Sequence, residues 1–302
     1  MAVSSLHIFK QGPVLRALGA TALQSLLAKK STLGPPPVTP GDWIEATLPP
    51  RDPQLVRDYI RHTGGDAGAY RNTLPPHFFP QWGFGLAAQT LVGLPYPLAK
   101  VMNAGCRLEI KRALPANEPL EVKVRLESID DDGKRAILTQ RVVTGTKSAP
   151  EALISDMRVF VPLASRDGKG KPSGAPKVRP TVPLGADCKE LAFFRLGADA
   201  GLDFAKLTGD FNPVHWVPAY AKSFGFRNVI LHGFGTMARA IEALNRRQFA
   251  GAVDRLTSVE VRFTKPLVLP AQVGVYVTSD NRLFVGDAKG GGAYLEGTFT
   301  NR

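Results

Sequence analysis

The chain repeats itself, and this internal repetition constrains its fold more than any other feature of its 302 residues. Residues 81–85 (QWGFG) resemble residues 231–235 (LHGFG), and each run opens an apolar, alanine-rich segment. Farther along, residues 108–128 resemble residues 263–280. Because the similar stretches occur in the same order in both halves, they indicate two copies of one structural unit.

Each copy predicts the same order of elements. A strand leads through an irregular approach, ending at Asp66 in one copy and at Asp210 in the other, to one long helix and then to further strands. Alternation such as Val122, Val124 and Leu126 is typical of a sheet with one covered face. The predicted strands are residues 43–48, 105–111, 119–129, 135–144, 152–162, 190–196, 257–265, 272–278, 282–287 and 294–300.

Composition indicates a globular chain. Hydrophobic residues make up 44% of it and the mean hydropathy is −0.06. No run approaches the roughly 18 consecutive apolar residues of a transmembrane helix. Cys106 and Cys188 lack metal-ligand spacing and are too few for a disulfide framework. A reducing compartment, the cytoplasm, is therefore expected.

The net charge of +12 and the pI of about 9.8 favour acidic partners, such as nucleic acid, anionic membranes or phosphorylated ligands. The basic residues are scattered and no nucleic-acid recognition motif accompanies them, so a nucleic-acid partner is not expected.

Two segments lie outside the repeat. Residues 165–184 are predicted to be a linker, because the run SRDGKGKPSGAPKVRP has almost nothing to bury. Residues 1–41 form an N-terminal arm with a helical apolar stripe between Leu15 and Leu27. We expect this helix to pack on the body or on a partner. A transit peptide is the less favoured alternative, because Arg16 is the only arginine in the arm.

Residues 204–216 (FAKLTGDFNPVHW) contain the candidate chemistry in the order D-x-N-P-x-H, which comprises Asp210, Asn212, Pro213 and His215. Pro213 fixes its own φ and pushes Asn212 toward an extended or turn conformation, so the run cannot lie inside a helix. A carboxylate and an imidazole on a stiff loop suit proton transfer at a bound substrate. The same residues could also form an ordinary Asx turn beside a surface histidine.

With its flanking residues, this run resembles the MaoC-like (R)-specific enoyl-CoA hydratases. The flanks are Gly209, Tyr220 and Gly225, followed by His232 and Gly233 at the start of an apolar helical segment. The resemblance implies an α+β double hot dog, with two curved antiparallel sheets, continuous or packed, each wrapped around one long helix. The predicted domains are an arm at 1–41, a degenerate hot dog at 42–164, a linker at 165–184 and a catalytic hot dog at 185–302.

The resemblance also implies hydration of a trans-2-enoyl-CoA to the (R)-3-hydroxyacyl-CoA, or the reverse dehydration. No metal and no cofactor beyond the coenzyme A of the substrate are expected. Asp210 and His215 would hold one water between them, and Asn212 would organise their loop. The N–H of Gly233, at the start of the helix, would bond the thioester oxygen. A glycine would leave room for that approach.

The first copy is expected to bind substrate rather than to catalyse. It has Asp66 but no following N-P-x-H, and it has Trp82 where the second copy has His232. The resemblance implies that the first copy forms a wall of the acyl tunnel. Trp82 and Phe84 would then contact substrate together with His232 and Phe234. The alternative is that these side chains are simply core.

Other functions remain open at this point. The nearest is a dehydratase that acts on acyl carrier protein thioesters, since a basic rim would bind an acidic carrier. A hot-dog thioesterase is disfavoured by the intact D-x-N-P-x-H run. A non-catalytic acyl-thioester binding protein would be favoured if Asp210 and His215 proved to lie far apart. A homodimer is an open expectation.

Overall fold

The computed structural model describes residues 3–12, 37–97, 101–163 and 180–302. Ten strands in these residues form one antiparallel sheet. They are β1 (Ile44–Leu48), β2 (Met102–Ile110), β3 (Leu120–Asp131), β4 (Arg135–Gly145), β5 (Leu153–Pro162), β6 (Lys189–Leu196), β7 (Leu256–Phe263), β8 (Ala271–Val277), β9 (Arg282–Gly286) and β10 (Ala293–Asn301).

The order of the strands displays the duplication. Across the sheet it is β1-β3-β4-β5-β2-β7-β10-β9-β8-β6, so each half contributes five strands in the same order from edge to centre. Strands β2 and β7 pair in the middle, with Leu108 opposite Val259. The expected α+β double hot dog is confirmed, and of the two arrangements left open, the sheet is continuous.

Strand β3 shows how the sequence builds the sheet. Leu120, Val122, Val124 and Leu126 are buried, whereas Glu121, which points to the other face, is exposed. Each fully buried leucine or valine contributes about 1.5–3 kcal/mol relative to an exposed side chain. A shift of register by one residue would expose all four side chains, so the alternation fixes which face is covered.

One long helix from each half lies against the buried face of the sheet. Helix α2 (Pro80–Gln89) contacts β3 and β4, and helix α5 (Gly233–Ala243) contacts β9 and β10. The two helices meet through aromatic edges, because the rings of Phe79 and Phe84 lie 5.7 and 5.2 Å from that of Phe234. The helices are α1 (Pro53–His62), α2 (Pro80–Gln89), α3 (Ala200–Thr208), α4 (Pro218–Ser223) and α5 (Gly233–Ala243).

A two-residue strand precedes the long helix in each half and gives the structural alignment of the two copies. Thr73–Leu74 pairs with Leu114–Pro115 in the first half. Ile230–Leu231 pairs with Leu267–Val268 in the second half. The residue that follows the short strand therefore occupies the same place in both copies.

This alignment corrects the sequence-based pairing of Trp82 with His232. The residues that follow the first short strand are Pro75 and Pro76, which correspond to His232 and Gly233, whereas Trp82 lies inside α2. The shared Gly-Phe-Gly runs had aligned the two helices several residues out of structural register. Because proline has no N–H, the first half also lacks the backbone donor that Gly233 offers.

The described part of the N-terminal arm packs on both halves. It forms the 3₁₀ helix Ser5–Gln11. His7 Nε2 lies 2.9 Å from a carboxylate oxygen of Asp58 in the first half. Gln11 donates to the carbonyl of Leu207 in the second half. This segment therefore bridges the two copies.

Two sequence-based predictions lie outside the described residues: the apolar stripe between Leu15 and Leu27, and residues 165–179 of the linker. In the described end of the linker range, 180–184, Val182 is buried and Thr181 pairs with Gly292, whereas Leu184 is exposed. Within the part of the chain that the structure describes, no helix has the length and apolar character needed to cross a membrane.

Candidate active site

The turn after α3 sets the position of Asp210. Helix α3 is followed by Gly209, which has a φ of +83° and donates its N–H to the carbonyl of Ala205. This left-handed conformation favours glycine and ends the helix abruptly. Asp210 therefore leaves the helix as the first residue of the loop, with a side chain that is 18% exposed.

Asn212 shapes the turn that carries His215. Its side-chain oxygen accepts a hydrogen bond from the N–H of Val214 at 3.3 Å and caps the short 3₁₀ helix Pro213–His215. Asn212 itself is exposed. The contacts therefore support its predicted part as organiser of the loop, and they supply no proton-transfer step for its amide.

A glycine that the sequence reasoning missed lets this turn approach α3. A Cβ on Gly201, in the first turn of α3, would overlap the backbone oxygen of His215. Only glycine permits so close an approach of two backbone segments. Gly201 therefore helps to fix His215, whose side chain is buried.

The hydrogen bonds of His215 determine its tautomer. Its Nδ1 lies 2.9 Å from the carbonyl oxygen of Ile230, which can only accept. Nδ1 therefore carries the hydrogen, and in the neutral ring Nε2 keeps a free lone pair. Burial lowers the pKa of His215, and the nearby charge of Asp210 opposes this shift only in part. His215 is thus a neutral proton acceptor near pH 7.

His232 supports both members of the pair. Its ring stacks on that of His215 with the centroids 3.5 Å apart. Its Nε2 donates to the backbone oxygen of Asp210 at 3.0 Å. Burial, followed by the neighbouring His215, lowers the pKa of His232 well below its ordinary value. His232 was predicted to bind substrate, but it is 1% exposed. Its contacts hold Asp210 and His215, here called the dyad, in position.

Asp210, His215 and His232 form one cluster. One carboxylate oxygen and one ring nitrogen from each histidine lie within 4.8 Å of one another. Such a set could hold a metal ion, but His232 Nε2 and His215 Nδ1 are already bonded to carbonyl oxygens. The groups not bonded to a carbonyl oxygen are the carboxylate of Asp210, Nε2 of His215 and the buried Nδ1 of His232. A separation within 4.8 Å between the Asp210 carboxylate and a ring nitrogen of His215 allows one water to bond both residues.

Gly233 lies beside this cluster as the first residue of α5, directly after the N-cap His232. The N–H groups of a first helical turn have no partner within the helix. Among the described residues, none accepts from the N–H of Gly233. A Cβ at this position would lie 2.8 Å from the ring of Phe263. Glycine is therefore required here by packing as well as by any approach of substrate.

The other predicted substrate contacts are mostly core. Phe234 is buried among Phe79, Phe84 and Phe263, and Phe84 is half-buried. Trp82 is buried and donates its Nε1–H to a hydroxyl on β4. It also faces a groove of about 380 Å³ whose apolar lining includes Leu48, Leu55, Trp82 and Leu86.

The first half has the same loop without the dyad. Helix α1 is followed by Gly64 at φ +90°, as α3 is followed by Gly209, so Gly65 occupies the place of Asp210. Asp66 was predicted to match Asp210. Its carboxylate instead accepts from the N–H of Gly68 and caps a 3₁₀ turn. Asp66 therefore corresponds to the capping asparagine of the second half.

Three polar residues of α5 and its continuation were not predicted. Arg239, Glu242 and Asn245 are buried and bond to side chains of the first half. The available signal was the presence of two charged residues in the otherwise apolar run TMARAIEAL. Charged residues at buried helix positions require partners, which come here from residues about 170 positions away.

Comparisons with known proteins show which sequences this chain resembles. The family profile described as MaoC like domain matches residues 176–289. The chain is 28% identical to 3-hydroxyacyl-thioester dehydratase X of Mycobacterium tuberculosis over 230 residues, which are 76% of this chain and 77% of that protein. It is 31% identical to peroxisomal enoyl-CoA hydratase 2 of Arabidopsis thaliana over 186 residues, 57% of this chain and 58% of that protein.

The fold has counterparts among solved structures. The crystal structure of HtdX of Mycobacterium tuberculosis superposes with a TM-score of 0.67 at 21% sequence identity. The match covers 86% of this chain and 100% of the other. The arrangement of both halves is therefore shared over almost the whole described chain.

Proposed function

We propose that this chain, a double hot-dog protein whose residues 176–289 match the profile described as MaoC like domain, is a hydro-lyase for enoyl-CoA thioesters. The proposed reaction is reversible syn addition of water to a trans-2-enoyl-CoA, which gives the (R)-3-hydroxyacyl-CoA. The names of the relatives support the reaction class. Two observations carry the proposal: a ring nitrogen of His215 and a carboxylate oxygen of Asp210 lie within 4.8 Å of each other, and the bond of Nδ1 to Ile230 leaves Nε2 of His215 as the proton acceptor.

Each group has a defined part in the proposed step. The carboxylate of Asp210 accepts a hydrogen bond from the water and orients it. His215 Nε2 removes the other proton of the water as its oxygen bonds to C3. The electron pair of the double bond moves onto the thioester oxygen. The imidazolium then returns its proton to C2 on the same face, so the overall change is addition of one water.

The developing enolate needs a donor. The N–H of Gly233 and the positive end of α5 are the backbone groups next to the dyad that can supply one. A donor that is already fixed costs no reorganisation when the charge develops. Removal of a single such donor in other enzymes typically lowers turnover by about 10²–10³.

The test is a spectrophotometric hydration assay with crotonyl-, octenoyl- and longer enoyl-CoA, followed by chiral analysis of the product. The proposal expects the (R)-3-hydroxyacyl-CoA at a turnover of about 1–10³ s⁻¹. The same acyl chains on acyl carrier protein form the second arm. Turnover of the carrier-bound chains alone would establish the carrier-protein dehydratase. Binding without turnover in either arm would establish a non-catalytic acyl-thioester binding protein.

Four further points belong to the same proposal. The chemistry uses no cofactor beyond the coenzyme A of the substrate, and it needs no metal. The cytoplasm is the proposed location, although some relatives are named as peroxisomal. A homodimer is the proposed assembly. Of the 38 basic residues, some would meet the phosphates of coenzyme A.

A further inference from the structure

The carboxylate of Glu242, from the second half, packs against Gly65, the residue of the first half that corresponds to Asp210. Glu242 of α5 is 1% exposed, and a Cβ on Gly65 would overlap its carboxylate. Its Oε1 accepts from the hydroxyl of Tyr70 at 2.9 Å and lies 3.1 Å from Nε2 of His77. The amide of Asn245 in turn donates to the Tyr70 hydroxyl at 3.0 Å.

Two more contacts join the same face of α5 to the first half. Arg239, one turn before Glu242, donates to Nε2 of His62 at 3.0 Å. Arg246, in the π-helical turn Leu244–Gln248 that continues α5, donates to the carbonyl of Gly64 at 2.8 Å. Residues three and four apart on a helix share one face. Arg239 and Glu242 of α5 and Arg246 of its continuation are therefore all bonded to residues 62–77 of the first half.

These bonds fix the rotation and the axial position of α5. A buried carboxylate is costly unless its donors are in place, and here the donors stand on short 3₁₀ turns of the first half. Turning or sliding α5 would leave Glu242 buried without them. The other end of this helix begins at Gly233, directly after His232, whose ring stacks on His215 and bonds to the backbone oxygen of Asp210.

We propose that Tyr70, His77 and Glu242 form a positioning cluster that holds α5, and with it Gly233 and His232, in the arrangement needed for turnover. In this proposal, the loop of the first half contributes to the rate without touching substrate. This inference rests on the proposed hydration activity and adds positioning residues to it.

The test compares two variants that disturb the cluster differently. Glu242→Gln removes the charge, whereas Gly65→Ala keeps every polar group and displaces the carboxylate. Each should lower kcat about ten- to a hundredfold while KM for crotonyl-CoA changes less than about threefold. The deficit should persist well below the melting temperature, where a loss due only to partial unfolding would disappear.

Two substitutions at His77 distinguish its hydrogen bond to Glu242 from the mere size of its side chain. His77→Gln can place an amide N–H near the original Nε2 position and should keep kcat within about threefold of the wild type. His77→Leu should lose as much as Glu242→Gln. Arg247→Gln, an exposed position on the continuation of the same helix, is the matched control and should behave as wild type.

A second readout keeps this test independent of the proposed reaction. Amide hydrogen exchange at residues 233–236 should become at least tenfold faster in Glu242→Gln and Gly65→Ala, and should stay unchanged in Arg247→Gln. If wild type hydrates no enoyl thioester, the proposed function fails and the exchange rates alone decide the inference. The inference would be overturned by folded cluster variants that keep the wild-type kcat. If the wild type has no activity, it would be overturned by cluster variants that keep the wild-type exchange rates.

Discussion

One hydrogen bond determines which proton transfer the candidate site can perform. The carbonyl of Ile230 fixes the hydrogen of His215 on Nδ1, so Nε2 is the ring nitrogen that keeps a free lone pair. The sequence placed both residues on one loop but could not show the tautomer, because Ile230 lies fifteen positions away. In the proposed step, this backbone contact makes His215 the base, a choice that the sequence left open.

The lowered pKa of His215 predicts the pH profile of the reaction. A base must be neutral, so kcat/KM should be level near pH 7 and fall only below about 6.5, the ordinary histidine value. Because the folded pKa is depressed, the unfolded chain takes up the proton first and stability also declines below that pH. Circular dichroism should therefore accompany the assay. An acid limb centred above pH 7 would contradict the assignment of His215 as base.

Asn212 should matter less than the dyad. Asn212→Ala removes the cap of the 3₁₀ turn, a loss of about 1 kcal/mol, and leaves the side chains of Asp210 and His215 in place. We expect kcat to fall less than tenfold and Asn212→Asp, which can still cap, to recover most of it. Steady-state kinetics with crotonyl-CoA would measure both variants. A hundredfold loss in Asn212→Ala would show that the amide takes part in the chemistry.

At the scale of elements, strands were predictable and the register of the helices was not. The alternation of Val122, Val124 and Leu126 is local, and the predicted strand at 119–129 agrees with β3. The start of the first long helix depends instead on the pairing of Thr73–Leu74 with Leu114–Pro115, about forty residues away. Sequence similarity alone therefore aligned Trp82 with the wrong residue.

Helix α2 provides a test of the predicted acyl tunnel. If the groove beside Trp82 holds the acyl chain, Leu86→Trp should lower kcat/KM for octenoyl- and longer enoyl-CoA at least tenfold and leave crotonyl-CoA nearly unaffected. Val92→Trp, exposed just beyond the same helix, is the matched control. If Leu86→Trp leaves the dependence of kcat/KM on chain length unchanged, the groove does not hold the acyl chain and the tunnel prediction is wrong.

For the whole molecule, the sequence predicted the duplication but only part of the difference in function between the two halves. The absence of N-P-x-H from the first copy suggested a non-catalytic half. The bonds from Tyr70 and His77 to Glu242 were hidden, because they join residues more than 160 positions apart. Sequence patterns report local periodicity, whereas such contacts arise only when the two halves meet.

The continuous sheet predicts that the halves stay together after cleavage. Limited trypsin digestion should cut first at the lysines and arginines within 165–180, as the composition of the linker suggests. The fragments should co-elute on native sizing, because β2 pairs with β7 and α5 is bonded to the first half. Activity should survive the cut. Fragments that separate without denaturant would contradict the account of one continuous sheet.

The most direct test of the central claim, that the second half carries the chemistry, is a comparison of kcat for Asp210→Asn and Asp66→Asn. Both variants change a carboxylate to an amide in equivalent loops. Asp210 lies one residue after Gly209, and Asp66 lies two residues after Gly64. The account predicts that Asp210→Asn loses about two to four orders of magnitude and that Asp66→Asn stays within about twofold of wild type. Folded Asp210→Asn with more than a tenth of wild-type activity, or an equal loss in Asp66→Asn, would contradict it.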